Sequence, residues 1–229
     1  MGFLKSFFTN VLREENEVQT TNSFAQLSEE QLESHLSVSR YGNFSLTEAV
    51  RPSFDLKVVP SQGYRHEYYK DRESGSSVPV LMSAASSERV FEVFVDLLEP
   101  LGDVVDVVLE SSHDRDCGAE RDLYREHIDM PVLLSVLYEF EDLLTNDGCT
   151  GIAVLNPRIP HEVQFDEHKL LIVYGNDLAR FERSFETHGV MCDDEMKFIT
   201  EAEHVHSSCD DYVNQFERLK NALGMDNGF

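Results

Sequence analysis

The chain has 229 residues, 41% of them apolar and 27% charged, and a chain of that length can bury a core without disulfides or a structural metal. Nineteen Lys and Arg stand against 43 Asp and Glu, a formal net charge of −24. Such a field repels nucleic acid and anionic membranes and favours cations or basic partners. No run reaches the roughly 18 apolar residues of a membrane span.

The N-terminal stretch MGFLKSFFTNVLREEN lacks the unbroken apolar segment and cleavage site of a secretory signal. Gly2 and Ser6 fit the short myristoylation pattern. Residues 3–13 predict an amphipathic helix, with Phe3, Leu4, Phe7, Phe8, Val11 and Leu12 on one face. So aromatic a face requires a partner, which is the body of the protein, a second copy or another protein. A second helix follows Ser28, which forms a capping box with Gln31, while Leu27 can staple onto Leu32. Residues 41–52 read as a turn and a short helical segment ended near Pro52. Residues 54–60 and 63–70 read as two strands of a hairpin around the turn sequence PSQG, with Tyr64, His66 and Tyr68 on one face. The polar DRESGSS, residues 71–77, marks a boundary. It divides an N-terminal arm, residues 1–77, packed on the main body, from an α/β domain, residues 78–229.

Within that domain, residues 78–84 are a buried strand, 86–102 a helix and 103–111 a valine-rich strand. Residues 113–127 are a charged connection. Residues 129–148 predict one long helix, with Asp129 at its N-cap, Pro131 in its first turn and Gly148 at its end. Residues 150–156 form a strand, 157–168 a loop with a short strand at 163–165, and 169–175 another strand. A helix capped by Asn176 or Asp177 and ended by Gly189 follows, then a strand over 195–206 and a final helix over 207–224. The whole is an α+β chain with a mixed sheet. Residues 104–206 follow the βαββαβ order of the ferredoxin-like fold, with an extra βα unit before and a helix after. That order assigns no activity.

The phosphate-binding loop, the dinucleotide fingerprint, the G-x-S-x-G elbow and the H-E-x-x-H zinc motif are all absent. The four cysteines, Cys117, Cys149, Cys192 and Cys209, form no C-x-x-C pair and read as reduced thiols of a cytoplasmic protein. Three stretches hold residues with metal or catalytic chemistry. In SSHDRDC, His113, Asp114 and Asp116 offer metal ligands, and Cys117 with His113 a thiol and base, although a solvated acidic loop is the favoured account. In EAEHVHSSCDDY, His204 and His206 point to one face of a strand, together with Met196, Phe198, Thr200 and Ala202. The SSCDD that follows is a helix start, with Ser207 or Ser208 as cap and Asp210 and Asp211 in the first turn. In PHEVQFDEH, His161, Glu162, Asp166, Glu167 and His168 are candidate ligands, and His161 or His168 can meet His204 across neighbouring strands.

From sequence the favoured function is a non-enzymatic protein-interaction or regulatory module, bound to a partner or to itself through the N-terminal helix. One alternative is a metal-dependent enzyme or metal-binding protein that uses His204 and His206 with a third ligand from His113 or His161. Two imidazoles are one short of a divalent-metal site, and the sequence weighs against a third arriving. The other alternative is a small-ligand sensor. No catalytic residue is assigned, and no cofactor beyond that divalent metal.

Overall fold

The computed structural model describes residues 23–24, 27–70, 77–113 and 122–225. The predicted helix at 3–13, with its partner surface, and Asp114, Asp116 and Cys117 lie outside the described residues. Helix α1, Glu29–Leu36, carries the capping box expected at Ser28 and Gln31. Two short strands, β1 (Arg40–Tyr41) and β2 (Phe44–Ser45), form a hairpin where a turn and helical segment were expected, and β3, Val50–Pro52, follows.

One seven-stranded sheet dominates the chain. Its strands are β4 (Gly63–Lys70), β5 (Ser77–Ala84), β6 (Val104–Ser111), β7 (Leu123–Asp129), β8 (Thr150–Leu155), β9 (Glu162–Phe165) and β10 (Leu171–Tyr174). They lie in the order β4-β5-β10-β9-β8-β6-β7, and every neighbouring pair is antiparallel. Helices α2 (Val90–Leu98), α3 (Met130–Glu139), α4 (Glu141–Asn146), α5 (Ala179–Thr187) and α6 (Asp210–Ala222) complete the described chain with a two-stranded pair, β3 and β11 (His204–His206). No helix among the described residues is long and apolar enough to cross a membrane.

Alternation along the strands gives the sheet two unlike faces. Leu81, Leu109, Val154, Phe165 and Val173 meet Phe94, Leu133, Phe181 and Phe185 of the helices in the main core. Each such fully buried side chain contributes on the order of 1.5–3 kcal/mol. The other face is more polar at its centre, with buried Glu162 and Gln164 beside Tyr174. Phe44, Met196 and Phe198 cover part of it over Tyr69, Val80 and Ile172.

Several expectations are corrected. The sheet is antiparallel throughout rather than mixed, and its strand order does not follow the ferredoxin-like pattern. Residues Leu123–Asp129, within the stretch expected to be a charged connection, form an edge strand, β7, and β11 stands outside the sheet against β3. An exposed edge strand needs no apolar alternation, and β7 also bulges at His127, whose φ is +55°. Residues 54–60 are not a strand; β4 pairs with β5 instead, so residues 71–76 join two paired strands. The long helix breaks into α3 and α4 at Phe140, where φ is −112° and ψ 22° and the ring is buried. Asp129 holds the N-cap position without a side-chain bond. Of residues 195–206 only the last three are a strand. Upstream, the backbone bonds are satisfied in local turns, Glu201 N–H to Phe198 O and Ala202 N–H to Ile199 O. Cys209, not Ser207 or Ser208, is the N-cap of α6, and Leu178 rather than Asn176 or Asp177 precedes α5.

Candidate metal centre

His204, Val205 and His206 pair with Pro52, Arg51 and Val50, and the pleat of β11 puts both imidazoles on one side. The third ring comes from the turn between β9 and β10. There Lys169 N–H donates to Asp166 O, Asp166 N–H to Leu170 O, and Lys169 takes a left-handed φ of +64°. This turn presents His168. Its ring centroid lies 4.9 Å from that of His204 and 4.7 Å from that of His206, and His204 and His206 are 5.0 Å apart. One ring nitrogen from each lies within 4.8 Å of the others.

Each ring is held from behind by an oxygen. His168 Nδ1 lies 2.8 Å from Asp166 Oδ2, His204 Nδ1 2.9 Å from Ala202 O, and His206 Nδ1 2.5 Å from Gly148 O. A carbonyl or carboxylate oxygen only accepts, so a proton sits on each Nδ1, and whichever ring is neutral carries its lone pair on Nε2. The Nε2 atoms of His204 and His206 face each other at 3.1 Å. Two lone pairs at that distance repel unless a proton or a cation lies between them.

The supporting residues are placed with little slack. Asp166 also accepts the Leu170 N–H on Oδ1, at 2.7 Å. Burial would raise its carboxyl, but His168, the Leu170 amide and Lys169 outweigh burial and hold it below the usual carboxylate range. Gly148 allows the close approach that brings its carbonyl to His206. A Cβ there would meet Ala49 O at 2.3 Å. The Gly148 N–H donates to Ser207 O, and the Ser207 N–H to Ala49 O, both at 2.8 Å. Burial first, then His168, pushes the His206 imidazole down to about 4 and keeps it neutral at pH 7. Buried Lys169 donates to Thr150 O at 2.7 Å; burial depresses its ammonium to about 8 against the pull of Asp166, Asp147 and Glu167. A small cavity lined by His168, Lys169, Thr47 and Phe198 opens beside the group.

The two residues expected to supply the third ligand lie elsewhere. His113 belongs to a separate cluster with Asp147 and Cys149. Its Nε2 is 2.9 Å from Asp147 Oδ2, an ion-pair contact off hydrogen-bond alignment, and its Nδ1 is 2.7 Å from Ser111 Oγ. Asp147 is fully buried and accepts from Thr150 Oγ1 at 2.5 Å. His161 packs edge-on against Phe181 at 5.6 Å, over Gly175, where a Cβ would come within 2.3 Å of the ring. Strand β9, about 13 Å long at the usual rise, separates His161 from His168. The loop that reads as one ligand-rich stretch in sequence is thus split between the two ends of a strand.

No protein-family model, curated protein or solved structure matches this chain.

Proposed function

We propose that the chain is a metal-binding protein that takes a divalent transition cation on His168, His204 and His206. The observation that carries this is the oxygen behind every Nδ1, which leaves the lone-pair Nε2 atoms of His204 and His206 3.1 Å apart. Two nitrogens bound to one tetrahedral metal at 2.0–2.1 Å stand about 3.3 Å apart. In such sites a ligating imidazole usually donates its other N–H to an oxygen, carbonyl or carboxylate, that fixes the ring. An all-imidazole set suits zinc, copper, nickel or iron. Three protein ligands with an open fourth position are the pattern of catalytic rather than closed structural zinc, which favours the metal-dependent-enzyme form of the proposal. The net charge of −24 draws cations to the surface. Zinc titration by calorimetry, with elemental analysis of natively purified protein, tests the reading. The expected result is one zinc equivalent lost in His204→Ala/His206→Ala. Zinc uptake identical in that variant, or none in the parent, would leave a shared proton as the account of the 3.1 Å contact.

A second reading, an interaction module working through residues 3–13, is supported by the apolar face of that stretch and the acidic charge. Light scattering of the chain with and without residues 1–16 tests it. Self-association that disappears with the truncation is expected, and a monomer in both cases counts against it.

A further inference from the structure

The outer edge of β4 carries a second group of ligand atoms, drawn from positions 126 residues apart. Residues 191–194 run beside this edge strand. The Tyr64 N–H donates to Met191 O at 3.0 Å, the Asp193 N–H to Tyr64 O at 2.8 Å, and Tyr64 forms a parallel bridge with Cys192. The His66 N–H donates to Asp194 Oδ1 at 3.0 Å. These bonds set Cys192 and Asp194 beside the His66 ring. Cys192 Sγ is 3.7 Å from His66 Nδ1 and 3.7 Å from Asp194 Oδ1, and Nδ1 and Oδ1 are 3.0 Å apart. A tetrahedral zinc with its usual bond lengths spaces sulfur from nitrogen or oxygen by about 3.5 Å, and nitrogen from oxygen by about 3.3 Å. The triangle therefore already has the size of one face of a coordination tetrahedron. Behind it, Glu182 on α5 stands 2.8 Å from His66 Nε2. It holds a proton on Nε2 and turns Nδ1 toward the sulfur and the carboxylate, as carboxylates behind metal-bound imidazoles do.

We propose that His66 Nδ1, Cys192 Sγ and Asp194 Oδ1 form a second metal site, selective for a borderline-soft divalent cation of the zinc type, with solvent water as fourth ligand. Binding replaces the thiol proton of Cys192 by a metal–sulfur bond and the proton that His66 Nδ1 donates to Asp194 by a metal–nitrogen bond; both protons leave to solvent, and no electron is transferred. This site is independent of the three-histidine centre and differs from it in chemistry, since sulfur enters only here. Without metal, the same residues are an imidazole bridging Glu182 and Asp194.

Cobalt(II) titration of the full chain followed by absorption separates the two sites. A sulfur ligand produces a thiolate-to-cobalt charge-transfer band in the near ultraviolet, which imidazoles do not. The band is expected in the parent, in Cys149→Ser and in His204→Ala/His206→Ala, and is lost in Cys192→Ser, a change at an exposed side chain. His66→Gln is expected to keep the fold and weaken cobalt binding at this site at least tenfold, on the order of what an altered ligand shell does. A parent without the band, a band that survives Cys192→Ser, or an unchanged affinity in His66→Gln would each overturn the proposal. Loss of the three-histidine site alone would lower the cobalt stoichiometry by one and leave the band in place.

Discussion

The two histidine-bearing groups differ in how much of their surroundings is fixed before any ligand arrives. In the inner group the His168 side chain is 12% exposed, and backbone carbonyls of Ala202 and Gly148 and buried Asp166 hold the three rings. In the outer group the His66 and Asp194 side chains are 44% and 63% exposed, and the orienting groups are surface carboxylates. Preorganised, poorly hydrated ligands bind more tightly and are screened less by salt than exposed ones. The two proposals therefore predict tighter metal binding at the inner group and a stronger dependence on solvent conditions at the outer one.

The contrast can be broken most severely at the shell behind the inner rings. Asp166→Asn retains the shape but weakens the acceptor on His168 Nδ1, and zinc affinity of the inner centre should fall 10–100-fold, the usual range for outer-shell partners. Calorimetric titration of the Cys192→Ser background measures it, and the cobalt–thiolate band of the outer site in the otherwise unchanged chain should not move. Next in size is Gly148→Ala. Its Cβ has Ala49 O at 2.3 Å and two backbone atoms of Ser207 at 2.9 and 3.0 Å, so the turn must shift. The expected loss is about 1–3 kcal/mol of stability, read as a melting-temperature drop of about 2–4 °C per kcal/mol, with weaker zinc binding at the inner site only. A melting curve and affinity equal to the parent would mean that the Gly148 carbonyl does not set the His206 ring.

A smaller effect comes from two buried carboxyls, Glu110 and Glu162. Glu110 Oε1 has no hydrogen-bond partner among the described residues, and burial, with Asp122 and Glu162 nearby, pushes its carboxyl up to about 9. Burial pushes Glu162 to about 7, opposed by the Gln164 amide. Both folded values lie above the ordinary 4.5, so the native state holds protons that the unfolded chain has released. Stability is therefore full below about pH 4.5 for these two groups and falls as pH rises toward 9. Glu110→Gln should flatten that slope and raise the melting temperature at pH 8 by several degrees, at about 2–4 °C per kcal/mol. Melting curves of parent and variant that run parallel from pH 5 to pH 9 would contradict the burial of that carboxyl.

Much of the framework was legible because its strands are apolar and bounded by turn residues. Val78–Ala84, Val104–Ser111, Thr150–Leu155 and Leu171–Tyr174 all lie where periodicity put them, and Ser28 with Gln31 caps α1 as the spacing implied. Local patterns failed where tertiary context decides the backbone. Leu123–Asp129 carries Arg125, Glu126, His127 and Asp129 among its seven residues and becomes a strand as the outer neighbour of β6. Met196 and Phe198 alternate like strand residues, yet Arg65 takes the Met196 carbonyl at 2.5 Å and stacks 4.9 Å from the Phe198 ring, which fixes a turn. For the inner centre, the same-face pairing of His204 and His206 follows from alternation alone, but the third ring depends on which end of β9 faces β11. That orientation separates His168 from His161 and is not written in their shared loop. The outer group left no local trace, because His66 and Cys192 meet only through the edge of β4.

X-ray absorption at the zinc edge of the Cys192→Ser variant loaded with one equivalent of zinc tests the central claim most directly. The expected spectrum has nitrogen or oxygen neighbours at about 2.0–2.1 Å, with scattering from three imidazole rings that disappears, together with the bound zinc, in the added His204→Ala/His206→Ala background. A spectrum with no imidazole scattering, or one that the two histidine substitutions leave unchanged, would contradict a metal centre on His168, His204 and His206.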